Sequence, residues 1–270
     1  MENLFDLRDE VIVLTGGTGT IGKAFSTALL NAGARVVLWS RGRTVPIEDT
    51  VREISKKCGA GGRVFGYRVD VSDKDSVKDG LERVAEDIGK PSVLINGAGG
   101  NRGKSSFIDA DLDIFEEVLK NNLIGGLMIP TQVFTSYWIK EGLKGSVINV
   151  ASAASYKPLS GVWAYDAAKA AVFNLTMGAA KEFAPYGIRV NGIAPGFFIG
   201  HQNRDLLYSD YDKGILTERG KTIIDRTPFG RFGSMEDLYG AVVFLASGRA
   251  SGFVTGITIP VDGGFLADNI

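Results

Sequence analysis

A glycine-rich loop stands between a strand-like run and a helix-like run close to the start of the chain. Val11–Leu14 is apolar throughout, as expected of a strand buried in a parallel sheet. The loop reads Thr15-Gly16-Gly17-Thr18-Gly19-Thr20-Ile21-Gly22, and a helix-like segment follows from Lys23 to Asn31. Glycines in this setting permit a tight turn and let backbone N–H groups approach a pyrophosphate, which the next helix N-terminus attracts. The pattern predicts a dinucleotide-binding unit.

Strand-like and helix-like segments alternate along most of the sequence. The strand-like runs are Val11–Leu14, Val36–Trp39, Val64–Val69, Val93–Ile95, Ser146–Val150, Arg189–Ile193 and Thr258–Val261. Helix-like segments between them include Ser76–Ile88, Leu112–Asn122 and Ala167–Phe183. This alternation predicts an α/β fold, a Rossmann-like doubly wound parallel sheet with helices on both faces. Because the motifs run without interruption from residue 15 to residue 196, we expect residues 1–270 to form a single domain.

The composition excludes several classes of function. Lys and Arg total 30 against 31 Asp and Glu, a balance that argues against nucleic acid or an anionic membrane as partner. Cys58 is the single cysteine and His201 the single histidine, which leaves no basis for a disulfide or a metal cluster. The first residues lack a signal-peptide pattern and no apolar run reaches membrane-spanning length. We therefore expect a soluble, cytoplasmic protein.

Proton-transfer chemistry is indicated by Tyr165 and Lys169, four residues apart, with Ser152 thirteen residues before the tyrosine. On a helix, Tyr165 and Lys169 project from the same face. A neighbouring ammonium favours the tyrosinate and is expected to lower the phenol pKa toward neutrality. A serine hydroxyl at the same point would hold a carbonyl or alcohol oxygen. The set predicts proton exchange with a C–O group, which needs a hydride partner.

These motifs, with Asn96-Gly97-Ala98-Gly99 and Asn191-Gly192-Ile193-Ala194-Pro195-Gly196, resemble the short-chain dehydrogenase/reductase family over nearly the whole sequence. The family usually has its middle glycine at the position of Thr20, whereas this protein has it at Gly19. The resemblance implies that Asn122 completes the catalytic set of Ser152, Tyr165 and Lys169.

The same resemblance implies a site for a nicotinamide dinucleotide. Asp70 and Val71 match the adenine-contacting pair of the family, although Asp70 could equally cap a helix beginning near Ser72. The predicted cofactor-binding residues are Gly16, Thr18, Gly19, Thr20, Ile21, Gly22, Ser40, Arg41, Asp70, Val71, Asn96, Ala98, Gly99, Tyr165, Lys169, Pro195, Gly196 and Phe198.

The end of the second strand bears on which nicotinamide cofactor is used. An acidic residue there would bind the ribose 2′-hydroxyl and repel a 2′-phosphate. The sequence instead has Ser40, followed by Arg41 and Arg43, which can pair with a phosphate. The alternative is that both arginines are simply solvated. The residues favour NADP(H) over NAD(H).

A long segment at about 197–227 occupies the position of the family's substrate lid. Its polar residues suit hydroxyl groups and a carboxylate better than a fatty acyl group. The predicted substrate-binding residues are Asn101, Arg102, Ser152, Gln202, Asn203, Arg204 and Lys221. This segment and the run Gly256–Phe265 resemble the family's D-mannonate oxidoreductases, also called fructuronate reductases. That resemblance implies interconversion of D-fructuronate and D-mannonate, an activity usually paired with NAD(H).

Other functions stay open at this point. Within enzymes, the alternatives are reduction of another keto-sugar acid such as 5-ketogluconate, or of a 3-oxoacyl thioester. A dinucleotide-sensing module without turnover is a further alternative, although such members tend to lose the tyrosine or the lysine. The family resemblance also implies a homo-oligomer, commonly a tetramer.

Overall fold

The computed structural model describes residues 3–43, 45–200 and 204–269. Seven strands form one parallel sheet in the order β3-β2-β1-β4-β5-β6-β9, and β7 pairs with β8 in a separate antiparallel hairpin. The strands are β1 (Val11–Thr15), β2 (Arg35–Ser40), β3 (Val64–Arg68), β4 (Val93–Asn96), β5 (Gly145–Val150), β6 (Ile188–Pro195), β7 (Tyr208–Asp210), β8 (Ile215–Leu216) and β9 (Thr258–Val261). The predicted single-domain, Rossmann-like fold is confirmed.

Helices cover both faces of this sheet. The α-helices are α1 (Thr20–Asn31), α2 (Ile47–Cys58), α3 (Lys74–Asp87), α4 (Leu112–Leu119), α5 (Ile129–Lys140), α6 (Trp163–Phe183), α7 (Arg204–Leu207), α8 (Glu218–Asp225), α9 (Tyr239–Ala246) and α10 (Gly248–Ser251). A π-helix spans Lys120–Met128, and 3₁₀ turns span Ala153–Ser155, Ala184–Tyr186, Met235–Leu238 and Phe265–Ala267.

The strands are apolar on both sides because each side faces a helical layer. In β1, Ile12 and Leu14 join the cluster beneath α1 and α9, whereas Val11 and Val13 join the cluster beneath α3 and α5. All five residues of β1 are buried. This explains why the strand reads as a continuous apolar run rather than an alternating one.

Helix α6 begins at Trp163, four residues before the predicted start, so Tyr165 and Lys169 both lie within it. The predicted helix Leu112–Asn122 is α4 continued by the π-helix. Helices α2 and α5 also lie between predicted strands, although they are not among the helix-like segments named from the sequence.

The predicted lid is not a plain loop. It contains α7, β7, β8 and α8, which enclose a small apolar cluster of Leu207, Ile223 and Phe232. These elements are two to eight residues long, too short for a hydrophobic period to stand out in the sequence. The lid is therefore a small packed unit attached after β6.

Two sequence-based exclusions can be compared with the described residues. No helix among them has both the length and the apolar character needed to cross a bilayer. Within the same residues, no three or more His, Cys, Asp or Glu side chains are grouped so that they could hold a metal ion.

Candidate active site and cofactor crevice

The crevice for a dinucleotide opens where the strand order changes direction, between β1 and β4. Two loops leave the carboxyl ends of these strands and touch each other. Gly16 has a φ of +69°, and a Cβ there would lie 2.7 Å from the Gly97 carbonyl oxygen. Thr15 Oγ1 accepts hydrogen bonds from the Gly97 and Ala98 N–H groups at 3.0 and 3.1 Å. This close approach of backbone N–H groups fits a pyrophosphate. No sequence pattern identified Thr15 as the residue that joins the two loops.

The unusual glycine position in the first loop is accommodated without strain. Thr20 is the first residue of α1, Gly19 is its N-cap, and no described non-glycine residue has positive φ. Gly22 has no room for a side chain, since a Cβ would lie 2.5 Å from the Gly16 carbonyl oxygen. The Thr20 side chain instead faces Gly200 at the start of the lid, where an added Cβ would lie 3.1 Å from Thr20 Oγ1. Ile21 packs partly buried against the core.

The turn after β2 presents the predicted adenosine-ribose residues. Ser40 Oγ lies 3.1 Å from Thr18 Oγ1 and accepts the Gly42 N–H at 3.1 Å. Arg43 Nη2 lies 4.0 Å from Asp70 Oδ2. Although burial opposes it, the pKa of Asp70 is lowered by hydrogen bonds from Ser72 and by the charges of Arg41 and Arg43.

Asp70 does not cap the next helix, contrary to the alternative left open by the sequence. Asp70 Oδ1 accepts hydrogen bonds from the Ser72 N–H and hydroxyl at 3.0 and 2.6 Å. Helix α3 begins at Lys74, and its N-cap is Asp73. Val71, the other residue of the predicted pair, is partly buried against the core.

The side chain of Asn96 makes hydrogen bonds inside the protein. Its Nδ2 donates to Thr131 Oγ1 and to Asn149 Oδ1, both at 2.9 Å, and Asn149 Nδ2 donates onward to Thr176 Oγ1. Asn96 is 3% exposed. The side chain therefore ties β4 and β5 to α5 and α6, which leaves its backbone for any cofactor contact.

The structure brings Ser152, Tyr165 and Lys169 together at the carboxyl end of β5. The Ser152 hydroxyl is close enough to the Tyr165 phenol to act on its pKa. Lys169 Nζ lies 5.6 Å from the centre of the Tyr165 ring and donates to the Val150 carbonyl oxygen at 2.7 Å. Ser155, which the sequence reading missed, accepts the Ser152 N–H and donates to the Lys169 carbonyl oxygen at 2.7 Å. The spacing Ser152-x-x-Ser155 is a capping-box signal that could have identified it.

The prediction that Lys169 lowers the pKa of Tyr165 is wrong for this arrangement. Burial raises the pKa of Tyr165, and the neighbouring Ser152 hydroxyl opposes this without reversing it. Burial also lowers the pKa of Lys169 to about 8, because a buried ammonium is poorly solvated. Because Lys169 donates to the Val150 carbonyl oxygen, desolvation is the main cause of both pKa shifts.

Asn122 lies in the π-helix and holds the loop after β4. Its Nδ2 donates to the Gly100 and Val118 carbonyl oxygens at 2.8 Å, and its Oδ1 accepts the Gly100 N–H at 3.1 Å. Gly99 has a φ of +149°, and a Cβ there would lie 2.5 Å from Asn122 Oδ1. The wide π turns place this side chain over the Gly99-Gly100 backbone, a feature that no sequence pattern indicated.

The described substrate candidates other than Ser152 are paired with local partners. Three salt bridges join Arg102 to Glu117, Arg204 to Asp205 and Lys221 to Glu218, at 2.5, 3.3 and 2.7 Å. Asn101 Nδ2 donates to the Gly103 carbonyl oxygen at 3.0 Å, and the Arg204 guanidinium also lies over the Tyr211 ring. Gln202, Asn203 and the nearby His201 lie outside the described residues.

Lys157 is a cation near the catalytic residues that the sequence reading did not select. It lies in the loop joining Ser152 to Tyr165, and its Nζ is 5.5 Å from the centre of the Phe265 ring. Phe265 in turn packs edge-on against Phe197, at 5.0 Å between ring centres. Among the residues that the structure describes, Lys157 forms no salt bridge.

The loop after β6 carries the predicted nicotinamide contacts Pro195, Gly196 and Phe198. Gly196 donates its N–H to the Val261 carbonyl oxygen at 2.9 Å, and a Cβ there would lie 2.7 Å from Asp262 Cα. Phe198 is bridged to Gly233. A cavity of about 320 Å³ opens beside this loop, between Phe198 and the C-terminal segment, and it is not lined by the catalytic residues.

The family model described as enoyl-(acyl carrier protein) reductase matches residues 17–266. The protein belongs to the short-chain dehydrogenase/reductase family. Its fold, glycine cradle and Ser–Tyr–Lys arrangement agree with an NAD(P)-dependent oxidoreductase, and this is the class of enzyme to which it belongs.

Several relatives in this family are named for reactions of sugar acids, and others, such as a 3-oxoacyl-[acyl-carrier-protein] reductase of Thermotoga maritima that is 32% identical over 96% of this protein and 99% of that one, are not. A 2-dehydro-3-deoxy-D-gluconate 5-dehydrogenase of Dickeya dadantii is 35% identical, over 98% of each sequence. A Haemophilus influenzae protein with bound NAD, provisionally described as a D-mannonate oxidoreductase, is 34% identical over 99% of each sequence with a TM-score of 0.87. A Burkholderia cenocepacia gluconate 5-dehydrogenase in complex with NADP and tartrate is 30% identical over 98% of each sequence with a TM-score of 0.85.

Proposed function

We propose that the protein interconverts a keto-sugar acid and its hydroxy acid, with D-fructuronate and D-mannonate as the substrate pair. The observation that carries this proposal is the convergence of Ser152, Tyr165 and Lys169 beside a glycine cradle, in a protein several of whose relatives are named for reactions of sugar acids. The tartrate complex of one relative adds a second hydroxy acid to this chemical class.

The residues divide the reaction between them. The nicotinamide cofactor supplies or accepts the hydride when bound. Tyr165 donates a proton to the carbonyl oxygen in reduction and accepts it in oxidation, and Ser152 holds that oxygen by a hydrogen bond. Lys169, which donates to the Val150 carbonyl oxygen, would hold the nicotinamide ribose of a bound cofactor. Asn122 keeps the loop after β4 in place and supports proton relay.

Tyr165 must carry its proton to act as the acid in carbonyl reduction. Because burial holds the phenol protonated, the proton needed for carbonyl reduction is present over the whole neutral range. Oxidation needs the tyrosinate, so its rate is expected to rise with pH.

Lys157 is our candidate for binding the substrate carboxylate. Arg102, Arg204 and Lys221 already pair with acidic neighbours, whereas Lys157 extends over Phe265 and has no such partner among the described residues. A sugar acid always brings a carboxylate, and a cation on the loop that joins Ser152 to Tyr165 would orient it.

NADP(H) is the cofactor that the turn after β2 favours. Arg41 and Arg43 follow a serine instead of a carboxylate, and the charges of both act on Asp70 at the edge of the same crevice. Relatives with either NAD or NADP bound are known. The lid at 197–227 would then cover the sugar acid.

The test is to follow oxidation of NADPH and NADH in parallel with D-fructuronate, 5-ketogluconate, 2-dehydro-3-deoxy-D-gluconate and a 3-oxoacyl thioester. Rapid oxidation with D-fructuronate supports the proposal, and the ratio of the two rates identifies the cofactor. Preference for another sugar acid would change the substrate and keep the class. Activity confined to the thioester would overturn the sugar-acid proposal.

A further inference from the structure

The short segment that carries Ser152 is bonded at both ends to one residue, Lys169. At its start, the Val150 carbonyl oxygen accepts a hydrogen bond from Lys169 Nζ at 2.7 Å. At its end, Ser155 Oγ donates to the Lys169 carbonyl oxygen, also at 2.7 Å. Ser152 lies between these two contacts, just after β5, whereas Lys169 lies in α6. The two bonds therefore close the segment onto the helix on either side of Ser152.

The Ser152 hydroxyl is itself held by the turn that follows it. The Ala154 N–H donates to Ser152 Oγ at 3.1 Å, and both residues are buried. A serine hydroxyl has two lone pairs and one hydrogen, so this bond takes one lone pair and leaves the hydrogen available. The contact with Ala154 therefore favours Ser152 as a donor to a substrate oxygen.

Ser155 joins this turn to the helix that carries the other catalytic residues. Its Oγ accepts the Ser152 N–H at 3.3 Å and donates to the Lys169 carbonyl oxygen, so one hydroxyl contacts the backbone of both. The next residue, Tyr156, packs its ring on Phe173 of α6, at 4.8 Å between ring centres. The backbone on both sides of the Ser155 hydroxyl is thus fixed relative to α6.

We propose that Ser155 is a positioning residue for Ser152: it fixes the Ser152 backbone to the turn of α6 that carries Lys169, so that the Ser152 hydroxyl stays directed at the substrate oxygen. This inference rests on the role proposed for Ser152 in the reaction. A hydroxyl displaced by about 1 Å from its productive place can cost on the order of a hundredfold in rate, which is why a contact of this kind matters.

A purely structural role predicts a different result. If Ser155 only capped the 3₁₀ turn Ala153–Ser155, its loss would lower stability and would affect the rate equally whether or not the Ser152 hydroxyl is present. If Ser155 acts through that hydroxyl, its loss should cost nothing further once the hydroxyl is gone.

Three variants separate these roles. Ser155→Ala removes both hydrogen bonds, and Ser155→Thr keeps a hydroxyl at the same carbon. Ser146→Ala is the matched control, because it removes a buried serine hydroxyl from the same strand, β5, near the end away from the site, where Oγ donates to the Leu245 carbonyl oxygen at 3.3 Å. Unfolding temperatures establish that each variant is folded at the assay temperature.

Steady-state reduction of D-fructuronate, or of the keto-acid in the panel above that the parent reduces fastest, gives the first readout. We expect Ser155→Ala to lower kcat about tenfold or more, with KM and the cofactor dissociation constant within about twofold of the parent. Ser155→Thr should recover most of kcat, and Ser146→Ala should match the parent. In a Ser152→Ala background, Ser155→Ala should lower kcat by less than about twofold. An equal loss in both backgrounds would overturn the inference.

Hydrogen exchange resolved at single amides follows the Ser152 hydroxyl without any substrate, because the Ala154 N–H bonds to that oxygen. We expect Ser155→Ala to speed exchange of the Ala154 N–H about tenfold or more, and Ser146→Ala to leave it unchanged. Exchange at the parent rate in Ser155→Ala would overturn the inference and leave the proposed function intact. Failure of every sugar acid would retire the proposed function, and the exchange rate would still decide whether Ser155 holds the Ser152 hydroxyl.

Discussion

At the scale of single residues, proton transfer is expected to depend on one atom, the hydroxyl oxygen of Tyr165. Tyr165→Phe removes the hydroxyl and leaves the ring packed against its neighbours. We expect turnover to fall by about a thousandfold, in the range usual for loss of a general acid or base. The dissociation constant of the cofactor, measured by fluorescence titration, should change by less than about twofold because the cradle is untouched. Turnover within tenfold of the parent would reject Tyr165 as the acid.

Arg41 is expected to set cofactor preference, because it borders the turn where a 2′-phosphate would lie. A charge-assisted contact to phosphate contributes about 1.5–3 kcal/mol, so Arg41→Ala should lower kcat/KM with NADPH by about tenfold or more. The value with NADH should hardly change. Arg52→Ala, on the exposed surface of α2, serves as the control. An equal fall in kcat/KM with both cofactors would show that Arg41 does not bind the 2′-phosphate.

Lys157 is expected to contribute to substrate affinity. Lys157→Met keeps much of the aliphatic stem over Phe265 and removes the charge. We expect KM for the sugar acid to rise at least about tenfold with a smaller change in kcat, and Lys157→Arg to recover part of the affinity. Lys181→Met, also removing an exposed lysine charge near the end of α6, controls for the loss of a positive charge in general. An unaltered KM would place the carboxylate elsewhere.

At the scale of elements, the lid depends on a close contact between two of its short helices. Gly220 in α8 faces α7, and a Cβ there would lie 2.2 Å from the Leu207 carbonyl oxygen. Gly220 and Gly214, whose φ of +69° belongs to the turn between β7 and β8, therefore serve packing and turn geometry.

Gly220→Ala is predicted to disrupt the lid and spare the main sheet. We expect KM for the substrate to rise about tenfold or more, while the cofactor dissociation constant stays within about twofold. Gly240→Ala is the matched control, because α9 offers open space at that position and alanine there should stabilise the helix by about 0.5–1 kcal/mol. A substrate KM equal in both variants would show that the lid packing does not matter for binding.

At the scale of the whole molecule, the buried ammonium of Lys169 links stability to pH. Its pKa is about 8 in the folded protein and near 10.5 when unfolded, so between these values the unfolded state binds more protons. The cost of burying the charge is therefore fully present below about pH 8 and is relieved as the pH rises toward 10.5.

Lys169→Met should accordingly stabilise the protein at neutral pH. The shift corresponds to about 3 kcal/mol, from which loss of the bond to the Val150 carbonyl subtracts about 1 kcal/mol. Urea unfolding at pH 7 and pH 9.5 should show the advantage of the variant shrinking by about 1–2 kcal/mol. A difference independent of pH would mean that Lys169 is equally protonated in the folded and unfolded states, so that burial does not lower its pKa.

The sequence alone determined where the strands of the main sheet lie and which chemical groups the site contains. Each apolar run, such as Val11–Leu14, fills a strand that both helical layers cover, so burial leaves a direct mark on composition. The Ser152, Tyr165 and Lys169 spacing was equally readable, because one helical turn relates the last two. The tetramer implied by the family resemblance stays a prediction.

Only the tertiary structure decided the electrostatics and the polar partners. The four-residue spacing of Tyr165 and Lys169 predicts that the ammonium stabilises the tyrosinate. Burial instead raises the pKa of Tyr165 and lowers the pKa of Lys169. Arg102 meets Glu117 fifteen residues later, and the π-helix carries Asn122 to Gly100. A pattern along the sequence records which groups are present. Their solvation and their partners depend on residues distant in sequence, and those are set when the layers pack.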